Sequence, residues 1–200
     1  ILPGYSSGAR VFPPIQLNFA DGFKFGNGYM EVGYVGETSY FNGNGTYGKP
    51  ISGNQKVRQN FTVSKFTRNA SKFNLRVQRD GGSSPLGVRI EKADGTLVYQ
   101  GSIAASSVQT AYPDWVAMPL SSVVPLQLGQ KYNVVLTTTG DSHYNVLAVR
   151  GGLSYGFDKA SFFSDGYAEE SSDGVNYVGW IQWSDQKKEE VLQFYFDLVP

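Results

Sequence analysis

Residues 73–99 constrain the fold more than any other stretch. Phe73, Leu75 and Val77 alternate with Asn74, Arg76 and Gln78, and Val88 and Ile90 alternate with Arg89 and Glu91. A period of two puts one face in a core and the other in water, as in an antiparallel strand. Asp94-Gly95 then reverses the chain, because glycine accepts positive φ at no steric cost, and Val98-Tyr99 resumes the alternation. A hairpin of this kind can bury its apolar face only against further strands.

The rest of the chain supplies them. Val11-Phe12, Ile15 to Phe19, Tyr29 to Tyr34, Val57 to Val63, Trp115 to Leu120, Tyr132 to Thr138, Asn145 to Arg150, Trp180 to Trp183 and Leu192 to Leu198 all read as strands or strand pieces. Pro119 and Pro125 are expected to end the strand at Trp115. Ser102 to Val108 reads as a connection, and residues 40–53, rich in glycine, read as a mobile or ligand-wrapped loop. Residues 151–179 read as loop, and Ser184 to Val191 as a solvated hairpin tip or one helical turn. The reading is therefore all-β: an antiparallel β-sandwich (jelly roll) of about eight to ten strands with little or no helix. One domain over residues 1–200 is expected, since a 40-residue N-terminal unit would struggle to make its own core.

Composition agrees. The 200 residues include 24 glycines, and aromatic residues make up 14%, as turns and strands require. Lys plus Arg equals Asp plus Glu at 17 each. That balance argues against a nucleic-acid partner. No apolar run is long enough for a membrane-spanning helix. The chain begins with Ile and contains no cysteine. A processed chain or an excised module, secreted or extracellular, is expected. Asn44-Gly-Thr, Asn60-Phe-Thr and Asn69-Ala-Ser fit the N-glycosylation pattern, which chance supplies readily in such a sequence.

From Val57 onward, a succession of motifs resembles one family. It runs VRQNFTV, KFNLRVQR, GVRIEKADGTLV, W-V-x-M-P-L, L-x-L-G-Q-K-Y-N-V-V-L, NVLAVRGG, D-G-x-N-Y with a following Trp, and LQFYFDL. These resemble the jelly-roll, galactose-binding-like carbohydrate-binding modules attached to secreted bacterial polysaccharide-degrading enzymes. Residues 57–200 carry the resemblance, and 1–56 lie outside it. It implies a non-catalytic module that binds a polysaccharide or oligosaccharide, fusion to a catalytic domain, and a structural calcium. The alternatives are a surface or phage-type adhesion or structural sandwich, and a small polysaccharide lyase.

The residues offer matching chemistry. Sugar rings have apolar C–H faces that stack on aromatic rings, while polar side chains bond the hydroxyls. Trp180 and Trp183 flank Gln182; Tyr144, Tyr155 and Tyr177 are expected in loops beside polar residues; and Trp115 follows Pro113-Asp114. With His143, the only histidine, and Arg150, which would suit an acidic sugar, these eight are the candidate ligand residues. Asp141, His143, Tyr144 and Arg150 are also the best lyase constellation, supplying in principle a base, an acid and a carboxylate clamp. Glu169-Glu170 and Glu189-Glu190 are adjacent carboxylates, and neighbours on a strand point to opposite faces, unlike a hydrolase pair. For calcium, which takes six to eight oxygens, the candidates are Asp21, Glu31 and Glu37 with Asp197, on the premise that the first and last strands lie side by side. Asp165-Gly166 to Asp173-Gly174 is a second option. Arg76, Arg79, Arg89 and Lys92 read as a solvated sheet face.

Overall fold

The computed structural model describes residues 29–32, 46–63, 67–150, 167–179, 190–192 and 194–199. Thirteen strands form among them. They are β1 (Tyr29–Val32), β2 (Thr46–Ser52), β3 (Lys56–Thr62), β4 (Arg68–Gly81), β5 (Leu86–Lys92), β6 (Leu97–Ile103), β7 (Asp114–Leu126), β8 (Lys131–Thr137), β9 (His143–Arg150), β10 (Ala168–Ser171), β11 (Val178–Gly179), β12 (Glu190–Leu192) and β13 (Phe194–Val199). Every pairing is antiparallel. A seven-stranded sheet runs β1-β13-β4-β9-β12, with β2 on β9 and β7 on β4, and a six-stranded sheet runs β11-β10-β3-β8-β5-β6. The only helical turn among the described residues is the three-residue 3-10 turn Ala105–Ser107. The fold is an all-β antiparallel sandwich.

The alternation read from the sequence places its residues as expected. Phe73, Leu75 and Val77 of β4 and Leu86, Val88 and Ile90 of β5 are fully buried in one core cluster. Five rings hold the sheets together. Phe61 of β3 meets Phe194 and Phe196 of β13 across the sandwich, at centroid separations of 6.2 and 5.9 Å. Tyr132 stacks on Phe61 at 5.7 Å, and Phe73 lies 5.5 Å from both Phe194 and Phe196. Tilted and edge-on contacts at these distances suit the ring quadrupole. A buried polar bridge also joins the layers: Gln59 accepts the Leu192 N–H at 2.9 Å and donates to Asn60 O.

Four segments depart from the sequence reading. The first is residues 46–52, expected to be loop, which form β2 and pair with β9 along its length. Gly48 and Pro50 disguise it, but β2 pairs only with β9 among the described residues, and an edge strand tolerates a missing N–H. The second is β7, which does not end at Pro119. Its pairing with β4 breaks between Pro119 and Val124 and then resumes to Leu126. Residues 120–123 bulge out there opposite Ser71, and Ser121 N donates to the Tyr99 hydroxyl of β6, so the bulge closes one edge of the sandwich. The third is the acidic pair Glu169-Glu170, which lies on β10 beside β3 rather than in a loop. The fourth is Arg79. It shares the parity of Phe73 and Val77, so it belongs to the inward row and sits where the core ends, not on a solvated face with Arg76 and Arg89.

The last strand lies between β1 and β4, with Tyr29 opposite Asp197 and Glu31 opposite Tyr195. The early and final strands are thus neighbours, as the calcium reading assumed. Among the asparagines of the glycosylation pattern, Asn60 is buried, and its side-chain oxygen accepts the Tyr167 N–H.

Phe61 touches rings from both sheets. Phe61→Ala is expected to lower the unfolding free energy by about 3–5 kcal/mol, read by urea denaturation. Val123→Ala, on the exposed bulge, should stay within about 0.5 kcal/mol.

Candidate functional site

The outward face of the six-stranded sheet gathers charged, amide and aromatic groups. One cross-strand row runs Glu169, Arg58, Val135, Arg89, Gln100. The next runs Asn60, Asn133, Glu91. Arg58 Nε donates to Glu169 Oε2 at 2.6 Å, and Arg89 Nη2 lies 2.9 Å from Glu91 Oε1. Each cation therefore has a carboxylate on its own face, and the two pairs together carry no net charge. Asn60, Asn133 and Val135 are buried although they point outward; the long stems of Arg58 and Arg89 flank them.

Tyr177 lies over this row. The Arg58 guanidinium carbon sits 3.9 Å from its ring centroid, within cation–π range. Burial pushes the Tyr177 phenol up from its ordinary value of 10.0. The Arg58 and Arg89 charges oppose that, and the Glu91 and Glu169 carboxylates add to it. The phenol therefore feels the charges of both ion pairs on this face.

A local hydrogen-bond knot positions the tyrosine. Asp173 Oδ1 accepts from Ser171 Oγ and from the Val175 and Asn176 N–H groups, at 2.9, 2.8 and 2.8 Å. Its Oδ2 accepts from Asn176 Nδ2 at 2.7 Å. Gly174 N donates to Ser171 Oγ, and Lys56 Nζ donates to Gly174 O. Gly174 sits at φ +78°, a left-handed conformation that glycine adopts without steric cost. Backbone N–H donors first, then the two side chains, hold the Asp173 carboxyl far below its ordinary 3.8.

The other predicted residues are dispersed. Tyr144 is not in a loop. It is fully buried on β9, and its hydroxyl donates to Ser84 O at 2.6 Å, so it cannot stack on a sugar. His143, its neighbour on the strand, is exposed and points the opposite way. Arg150 lies seven residues along β9, about 23 Å away at about 3.3 Å per residue. The lyase constellation of Asp141, His143, Tyr144 and Arg150 therefore does not converge. Trp115 opens β7 opposite Arg76, partly buried and packed against the core. Trp180, Trp183, Tyr155, Asp21 and Glu37 lie outside the described residues, and of Glu31 only the strand position is described. Asp197 Oδ2 lies 2.7 Å from Lys72 Nζ, and its Oδ1 accepts from Asn74 Nδ2 at 3.1 Å. Among the described residues, no three His, Cys, Asp or Glu side chains cluster as metal ligands would.

Of the eight sequence candidates, Tyr177 is shown with its ring against a charged side chain of the sheet face. Arg58, Glu169, Arg89 and Glu91 were not read as parts of one site, Arg89 standing as solvated sheet face and Glu169 as half of an adjacent carboxylate pair, because cross-strand register, not sequence spacing, brings them together. The one available signal was that Arg58, Arg89 and Glu91 alternate with core residues on their strands.

No protein-family model matches this chain, and no curated protein sequence matches it. Similar solved structures include two from infectious bursal disease virus. The Gx strain structure is 15% identical with a TM-score of 0.30, covering 78% of this chain and 34% of that one. The VP2 subviral particle is 12% identical with a TM-score of 0.25, covering 78% and 31%. A third structure, described as "CBM4 structure and function", is 11% identical with a TM-score of 0.22, covering 72% and 95%. The chain thus spans about a third of the viral chains. At these TM-scores the similarities carry no argument about function.

Two outcomes follow for this face. Asp173→Ala should speed amide hydrogen exchange at Val175 and Asn176. In the native protein the Asp173 contribution should be present above pH 3.8 and lost as pH falls below it, because the folded carboxyl is depressed. At alkaline pH the sign reverses. The raised Tyr177 phenol holds its proton more tightly folded than unfolded, so stability falls as pH rises past 10.0 toward the folded value. Tyr177→Phe should flatten that fall in urea midpoints taken across the alkaline range.

Proposed function

We propose that this chain is a non-catalytic β-sandwich module that binds a polysaccharide on the outward face of its six-stranded sheet. The observation that carries the reading is the Tyr177 ring resting on Arg58, which is itself locked to Glu169. Sugar recognition needs a flat apolar surface held still beside groups that bond hydroxyls. Tyr177 supplies the surface, and the Asp173 turn fixes it before any ligand arrives, so little ordering entropy is lost on binding. Gln100 and the outer oxygens and nitrogens of the two ion pairs supply the polar contacts. Because those pairs neutralise each other, the face suits a neutral glycan rather than an acidic one. The role this serves is to hold a partner, such as a fused polysaccharide-degrading domain outside the cell, against its substrate. A structural calcium remains part of the proposal through Asp21, Glu31, Glu37 and Asp197.

The test is affinity electrophoresis against neutral and acidic polysaccharides, with calcium and with EDTA. Retardation by a neutral polysaccharide is expected, and Tyr177→Ala should weaken it by at least about tenfold while the thermal midpoint holds. A lower midpoint in EDTA would support the ion. If no neutral polysaccharide retards the folded protein, or Tyr177→Ala binds as well as wild type, the binding reading is overturned and a structural sandwich stands in its place.

A further inference from the structure

A pocket of about 510 Å³ opens at one end of the sandwich. It lies between the β4–β5 connection (Gly82, Ser83, Pro85) and the end of β6 with the turn after it (Ser102, Ala104, Ser106). Arg79 reaches it from the inward row of β4, just where the apolar core stops. Its Nη1 donates to Gly82 O at 2.6 Å. Its Nε–H is shielded from solvent and has no acceptor.

The ion pairs among the described residues are Arg58–Glu169, Lys72–Asp197 and Arg89–Glu91; Arg79 takes part in none. The adjacent Tyr144 phenol gives its proton to Ser84 O, and burial keeps it neutral, so it is no counter-ion either. A half-buried guanidinium with no anion beside it is costly, and it lines an open pocket. The wall is stiff. Gly82 sits at φ +74°, where a Cβ would fall 2.4 Å from Ser142 Cα. Ser84 N donates to Ser142 Oγ, and Thr138 Oγ1 donates to Pro85 O.

We propose that this pocket is a second ligand site, independent of the sheet face, that takes the carboxylate of a sugar-sized hydroxy acid. Arg79 meets the carboxylate with charge-assisted hydrogen bonds. Ser83, Ser102 and Ser106 offer hydroxyls to the ligand's hydroxyls, and Pro85 and Ala104 face its C–H side. The volume is in the range of small-molecule sites. The acid is either free in solution or a uronate residue of a polymer.

The experiment is a ¹H–¹⁵N NMR titration of the full chain with galacturonate, with galactose as the neutral control and with polygalacturonate. Galacturonate should shift the Gly82, Ser83 and Ser106 amides saturably, and galactose at equal concentration should not. Arg79→Gln should weaken binding by at least about tenfold. Ser106→Glu, at an exposed position, sets a competing carboxylate in the pocket and should do the same with the thermal midpoint unchanged; it decides the matter if Arg79→Gln fails to fold. Shifts with polygalacturonate that free galacturonate competes away identify a polymer residue, and shifts with the monomer alone identify a free acid; both support the site. Tyr177→Ala should leave these shifts intact, which separates this proposal from the sheet-face reading. The proposal is overturned if neither acid moves these amides, if galactose binds as well as galacturonate, or if Ser106→Glu binds undiminished.

Discussion

The contact between Phe61 and the pair Phe194–Phe196 is the interaction on which the rest depends. A sheet with one apolar face is unstable until another covers it, and these rings are where the two sheets meet. Because Phe194 and Phe196 come from the last strand and Phe61 from β3, the clamp ties distant parts of the chain. It fixes β13 against β4, and through β3 and β8 it fixes the level at which the outward row Glu169, Arg58, Val135, Arg89 forms on the far side. Inward and outward positions alternate, so locking the core residue Phe61 also locks the parity of Arg58.

Rigidity at the candidate site comes from two different sources. Below, the ladder of β10, β3, β8 and β5 holds the ion pairs. Above, the turn at Asp173 is held by its own carboxylate, which gathers backbone N–H groups as an Asx turn does. The aromatic ring between them is therefore constrained from both sides. The Arg79 pocket is rigid for a third reason: Gly82 packs against Ser142 with no room for a side chain. The two places differ in charge. On the sheet face every described arginine meets a carboxylate, whereas at the sandwich end Arg79 meets none.

The legibility of the chain followed the range of each cause. Alternation in 73–78 and 88–91 is local, so β4, β5 and the Asp94-Gly95 turn could be read directly. Phe194 and Phe196 were legible as core for the same reason. β2 was hidden because Gly48 and Pro50 lack strand propensity, and only pairing with β9 makes them a strand. Parity could have shown that Arg79 faces inward with Phe73 and Val77, but a charged residue in an apolar row invites the opposite reading. Tyr144 was misplaced because a polar turn precedes it, while its own parity on β9 aims it at the core.

The sequence by itself determined the fold class, most of the core and the identity of Tyr177 as an aromatic beside a turn, because periodicity and turn chemistry act over a few residues. Only the tertiary structure decided which side chains stand beside Tyr177. Arg58 and Glu169 are 111 residues apart, and Tyr144 and Ser84 are 60 apart. Cross-strand register and the packing of loops on the sheets make neighbours at such separations, and register is set by the whole core rather than by any one strand.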